Sequence, residues 1–303
     1  MSVALRRVSA LLRGPALLLV PAFAVIVLVT GWPLLKLVIM SFQKFGRKQI
    51  FGAPPDFVGL GNYTKVLTDA DFWIVLARSV GLCTACVVAT MGLGIGVAVL
   101  MMRLNRFVRG LVSVGLLLAW AMPPLSATTM FGWLFDTRRG LINYMITQLT
   151  GADFIGHSWL NNPVSFYGVA TVIITWQSVP FVAFTTYAAL TQVPAEVLEA
   201  ASLDGASAFE RFRRVTVPYI RSVLLVLLLL QVIWDMRVFT QIYTLQTIGG
   251  IREKTNTIGV YIYTVSTAGG DLGAGGAIAV LLVIIMLIVT GYYIRSVLRE
   301  EGV

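Results

Sequence analysis

The chain has 303 residues, of which 57% are hydrophobic and only 12% charged, with a formal net charge of +9. A soluble domain carries roughly 25% charge, so lipid must solvate much of this sequence, and a soluble enzyme or a secreted domain is excluded. The cationic excess lies between apolar stretches rather than on one solvated face, which argues against nucleic acid, and two cysteines and one histidine make neither a disulfide framework nor a multi-histidine metal site.

A helix needs about 20 mostly apolar residues to cross ~30 Å of hydrocarbon. Six stretches qualify, at about 15–40, 79–102, 110–135, 164–190, 219–238 and 277–294. The first follows Arg6, Arg7 and Arg13 and contains Ala22-Phe23-Ala24, which imitates a signal-peptide cleavage site. The apolar run between Pro15 and Pro21 is too short for such a peptide and continues far beyond it, so the segment reads as an uncleaved span. The expected fold class is an all-α membrane protein with six transmembrane helices. Residues 1–14 form a short leading segment, 15–295 the membrane domain and 296–303 a tail.

Six spans put both termini on one side. Arg103, Arg106 and Arg109 crowd one tight turn on that side, which the positive-inside rule makes cytoplasmic. The opposite side then carries the segments 41–78, 136–163 and 240–276, rich in Gly, Asn, Thr and aromatics and each too short for a domain of its own.

Several minor motifs read as packing or solvent. Cys83-x-x-Cys86 lies inside an apolar helix, and Gly92 and Gly96 form a GxxxG spacing that favours helix packing. His157 is expected to be solvated on an outer loop, and Asn62-Tyr63-Thr64 matches a glycosylation sequon that arises often by chance.

The loop 191–218 reads as two short helices around a turn. Pro194 suits the start of the first, Glu196 complements its positive end, and Gly205 supplies a left-handed terminator. Ser207 with Glu210 three residues on is a capping box for the second helix, on which Phe209 and Phe212 share a face. Pro218 is expected to break that helix before span five.

Polar residues inside spans usually face the bundle or a cavity. In span five Gln231, Trp234, Asp235 and Val238 recur at one helical face, and span four offers Gln177, Ser178 and Phe181. An aromatic ring with amide, hydroxyl and carboxylate groups is what a hydroxyl-rich ring needs. Gln231 and Asp235 could equally hold helices together or pair with Arg237 or a partner subunit.

Glu199-Ala200-Ala201, Asp204-Gly205-Ala206, Phe212 and Val217-Pro218 resemble the "EAA" coupling loop of binding-protein-dependent ABC importer permeases. Phe57-Val58-Gly59-Leu60-Gly61-Asn62-Tyr63 with Asp71-Phe72-Trp73 resembles the first outer loop of the carbohydrate branch. Pro123-Pro124, Trp133-Leu134-Phe135 and Gly140-Leu141-Ile142-Asn143 are similar to its third span and the loop after it. Phe239 to Gly250 and Tyr261-Ile262-Tyr263 are similar to the segment before its last span. The resemblance, from about Trp32 to Arg299, is to the maltose-type sugar permeases. Two positions depart from it: Arg78-Ser79 stands where an Asn-Thr pair is usual, and Thr247-Ile248-Gly249-Gly250-Ile251 where Thr-Gly-Gly-Gly-Pro is usual.

The resemblance implies a permease of the bacterial inner membrane, multi-pass with both termini cytoplasmic, and no enzyme. It implies coupling to a separate ATPase through Glu199, Ala200, Ala201, Asp204, Gly205, Ala206, Phe209, Phe212 and Pro218. It implies sugar contacts at Gln177, Ser178, Phe181, Gln231, Trp234, Asp235 and Val238. Implied partners are a second, different permease, two ATPase copies, an external solute-binding protein, lipid and a di- or oligosaccharide. A glycerol-phosphate-type solute is the alternative; a passive channel or membrane enzyme fits less well. The chain has no GxxxxGK[ST] phosphate loop, so ATP and Mg are expected in the partner ATPase and no cofactor on this chain.

Overall fold

Continuous apolar sequence satisfies its backbone within helices, and the computed structural model, which describes residues 16–300, is built almost entirely of them. The segment expected at 1–14 and the last residues of the expected tail lie outside the described residues. The first span is α1 (Ala16–Ile26) and α2 (Trp32–Ser41), joined by the π-helical turn Val27–Gly31. A two-stranded antiparallel ribbon follows, β1 (Gln43–Lys44) against β2 (Asp56–Phe57), paired Gln43 to Phe57 and Lys44 to Asp56. Next come α3 (Gly61–Leu67) and the second span α4 (Ala70–Arg103). The third span is α5 (Arg106–Ala121) with α6 (Pro124–Leu134), and α7 (Leu141–Thr150) lies in the loop beyond it. The fourth span is α8 (Pro163–Leu190). The loop helices α9 (Ala195–Leu203) and α10 (Ala208–Arg211) lead to the fifth span, α11 (Arg221–Met236). α12 (Thr240–Ile248) precedes the last span, α13 (Leu272–Glu300), so the segment expected as a tail begins as helix.

Among the described residues four helices are long and apolar enough to cross a bilayer unaided, and two bent pairs, each taken as one span, bring the number to six. Two expectations change in detail. The third span is not one helix: α5 and α6 meet at 102°. Proline pushes the residue before it out of the α region, and Pro123-Pro124 does this twice, leaving Met122 (φ −71°, ψ 125°) and Pro123 (φ −58°, ψ 139°) extended. Nor does Pro218 break the helix before span five. It lies inside the helical run from Ala208 to Tyr219, just after the π-helical turn Phe212–Thr216, and the 74° bend falls two residues on, at Ile220.

The described chain forms two compact units: one takes the residues up to Asp69 with Ile262–Ile284, the other Ala70–Tyr261 with the residues from Ile285 onward. In the first, the Asn62 amide donates to the carbonyls of Ser41 and Gln43, both at 2.9 Å, so the sequon asparagine is buried and committed to the backbone. Lys65 pairs with Asp271 at 2.8 Å, and the Gly273 N–H donates to Phe45. A Cβ on Gly273 would stand 2.3 Å from the Gln43 carbonyl oxygen, which is why glycine opens the last span there. In the second unit α8 is the central helix, packing on α4, α5, α11 and α12. Phe131, Phe166, Ile173, Ile242 and Leu245 form its main apolar cluster. A Cβ on Gly92 or Gly96 would meet nothing within 4 Å among the described residues; Gly94 is the packing glycine, its absent Cβ leaving room for Val182.

Candidate functional site: a broken span and a coupling loop

The break in the third span exposes polar backbone in a helix that would otherwise hide it. In lipid such backbone survives only where protein covers it or it lines a cavity. Here the Gln177 amide on α8 donates to the Met122 carbonyl at 3.3 Å, and the Gln241 amide on α12 donates to Gln177 Oε1 at 3.0 Å. Beside this chain of amides stand three rings. Phe181 lies 6.5 Å from Trp120 at an interplanar angle of 22° and 5.1 Å from Trp234 at 59°. Trp120 and Trp234 remain partly exposed, so the three rings keep an open face. The structure thus joins Gln177, Phe181 and Trp234 from the expected set to three positions the sequence reading missed: Trp120, Met122 and Gln241. Only Pro123-Pro124 could have signalled them.

The remaining members lie elsewhere. Gln231 is fully buried and Asp235 is 4% exposed; the Gln231 amide and Asp235 Oδ2 have no hydrogen-bond partner among the described residues. Asp235 is within electrostatic reach of Cys83 and Cys86 on α4, and the Cys83 thiol approaches the Val232 carbonyl at 3.8 Å. The face read as one therefore splits, with Trp234 toward Phe181 and Asp235 toward α4, while Gln231 is buried. Ser178 is half-buried, and Val238 packs at the edge of the main apolar cluster.

The loop 191–218 has the expected local form. Pro194 caps α9, and Gly205 takes φ +81° while the Ala206 N–H bonds back to Ala201 at 3.1 Å, a Schellman closure. Ser207 Oγ accepts from the Glu210 N–H at 3.3 Å, and Glu210 accepts from the Ser207 N–H at 2.9 Å. The Ser207 N–H and the Ser207 hydroxyl, which donates to Glu210 Oε2 at 2.8 Å, hold the Glu210 carboxyl below the usual carboxylate range. Glu199, Ala200 and Asp204 lie exposed, with Ala201 and Ala206 half-buried. Between α9, α10 and the end of α4 runs a groove of about 800 Å³, lined by Met102, Arg103, Leu198, Glu199, Phe209 and Phe212 among others. Phe209 is 68% exposed.

The two departures from the family pattern sit in matching surroundings. The Arg78 guanidinium donates to the Glu253 carbonyl at 3.0 Å, and Ser79 Oγ accepts from the Ile258 N–H at 2.7 Å. Ile248 fills the space over Gly132, where a Cβ would meet its Cδ1 at 2.7 Å. His157 is exposed but not merely solvated: it packs edge-on to Phe154 and Trp159, at 5.4 and 4.9 Å.

Comparison with known proteins follows the same lines. The chain is 42% identical to the diacetylchitobiose uptake system permease protein DasB of Streptomyces coelicolor, over 95% of this chain and 88% of that one. It is 31% identical to the sulfoquinovosyl glycerol transport system permease protein SmoG of Agrobacterium fabrum (94% and 90% covered). It is 32% identical to the trehalose/maltose transport system permease protein MalF of Thermococcus litoralis (79% of each). Its fold is that of a chain in a bacterial ABC transporter that imports alginate, with a TM-score of 0.78 at 17% identity over 97% of this chain and 99% of that one. Residues 90–299 match the binding-protein-dependent transport system inner membrane component, and the chain belongs to that family of ABC importer permeases.

Proposed function

We propose that this permease carries a sugar, a di- or oligosaccharide, past the break in its third span. The observation that carries the reading is the open surface of Trp120, Phe181 and Trp234 beside the amides of Gln177 and Gln241. Stacked rings suit the apolar face of a pyranose, and amides suit its hydroxyls. Discontinuous helices mark the solute site in many transporters, and relatives named for diacetylchitobiose and for trehalose and maltose support the class.

In this reading a second, different permease completes the path and a solute-binding protein delivers the sugar from outside. Two ATPase copies hold ATP and Mg, while this chain needs no cofactor. The loop from Glu199 to Phe212 seats on the ATPase, so that loop, both termini and Arg103, Arg106 and Arg109 lie on the cytoplasmic side. Closure of the ATPase pair moves α9 and switches access. Gln231 and Asp235 reach the sugar when the span turns.

An anionic sugar conjugate is the second reading, favoured by the relative named for sulfoquinovosyl glycerol. Uptake by the reconstituted complex decides. Trp234→Ala removes a ring worth about 0.5–1.5 kcal/mol and raises the half-saturating solute concentration about two- to tenfold. Asp235→Asn weakens uptake of a neutral sugar, and leaves intact or improves that of an anionic one. Wild-type uptake by both variants, with assembly and ATPase activity retained, would remove span five from the path.

A further inference from the structure

Helix α7 is built inside out for a helix in water. Its inner face is polar: Asn143, 2% exposed, donates to the carbonyls of Thr137 and His157 and accepts from the Trp159 indole at 2.6 Å. Thr147 accepts from the Phe154 N–H at 3.0 Å. Its outer face is mostly apolar, with Leu141, Tyr144, Met145 and Leu149 exposed at helical spacing around a single exposed amide, Gln148, and Leu149 at 80%. No residue of α7 carries a charge.

We propose that α7 lies flat in the lipid headgroup region on the side of the membrane opposite the coupling loop, with this apolar face in the outer acyl chains. Three observations choose a phospholipid surface over a protein partner. The helix begins six residues after Phe135, which caps the third span, so its depth is held at the boundary where that span ends. The turn between them exposes Arg138 and Arg139, cations that suit lipid phosphates, while the carboxylate of Asp136 accepts from the backbone N–H groups of both at 3.0 and 2.8 Å. Trp133 is exposed on the span just before and Tyr144 on the helix itself, two rings of the kind that settles at a membrane boundary. Interfacial helices of this kind bury their apolar face roughly 5–10 Å into the boundary.

Single cysteines at Met145 and Leu149, spin-labelled in a Cys83→Ala, Cys86→Ala background that retains uptake, read the depth of α7 in phosphatidylcholine–phosphatidylglycerol vesicles. Both replaced positions are exposed, so the labels do not disturb the core. Both labels collide with dissolved oxygen in preference to a water-soluble nickel chelate, at a depth of roughly 5–10 Å below the phosphates, whereas a label at the exposed Lys254 shows the reverse preference. Chelate accessibility at 145 and 149 equal to that at 254 overturns the proposal. Exclusion of both oxygen and chelate, before or after addition of the solute-binding protein, overturns it too and assigns the face to a protein partner.

Discussion

Gly205 holds φ +81° with no atom near its missing Cβ, so conformation and not space demands glycine there. Gly205→Val places a β-branched residue in the left-handed region at a cost of about 1–2 kcal/mol. That displaces α10 relative to α9. ATP-driven uptake then falls while the chain still inserts and assembles, and unchanged uptake would separate the loop from coupling. Asn143 shows the opposite dependence, since every one of its side-chain bonds reaches another part of the loop. Asn143→Leu strands buried carbonyls and the Trp159 indole at about 1–3 kcal/mol for each group left unpaired, and lowers the thermal midpoint of the detergent-solubilised protein. The two residues differ in legibility for the same reason. The Gly205 turn and the Ser207–Glu210 box close within a few residues and can be read from spacing. Asn143, Gln177 and Gln241 act across distances that a linear reading does not see.

At the scale of elements, hydropathy located six spans because burial in lipid is a local demand on composition. It could not see the 102° bend between α5 and α6, since a broken span is as apolar as a straight one. Two consecutive positions before proline held the clue in their backbone restriction. The bend has a measurable dependence on α8. Gln177→Leu leaves the Met122 carbonyl without its donor, costs about 1–3 kcal/mol, and reduces uptake with less effect on assembly. Normal uptake would show that another group or water serves that carbonyl. The helical face of Gln231, Trp234 and Asp235 was read as single because i, i+3 and i+4 do lie together; packing against α4 on one side and Phe181 on the other divided it.

At the scale of the whole molecule, the proposed orientation rests on arginines at a single turn, Arg103, Arg106 and Arg109. A cysteine placed at Arg106 is shielded from an impermeant thiol reagent added outside cells, and one at Asn161 reacts. The reverse pattern would invert the topology and carry the coupling loop with it. Mutually consistent placement of the loop, the broken span and α7 depends on that one sign.

The tie between Lys65 and Asp271 joins segments 206 positions apart, and the Arg47 guanidinium reaches the Ala268 carbonyl in the same way. The ribosome supplies these partners late. At about 5–20 residues per second, the interval between Asp69 and Ile262 lasts roughly 10–40 s. Through that time α1 and α2, none of whose described residues before Ser41 is buried, stand in the bilayer without the last helix. Ala70–Tyr261 meanwhile emerges without the residues from Ile285 onward that complete its unit. A nascent chain stalled before residue 262 therefore leaves both units short of their share of the last helix, with Lys65 and Arg47 still without their late partners.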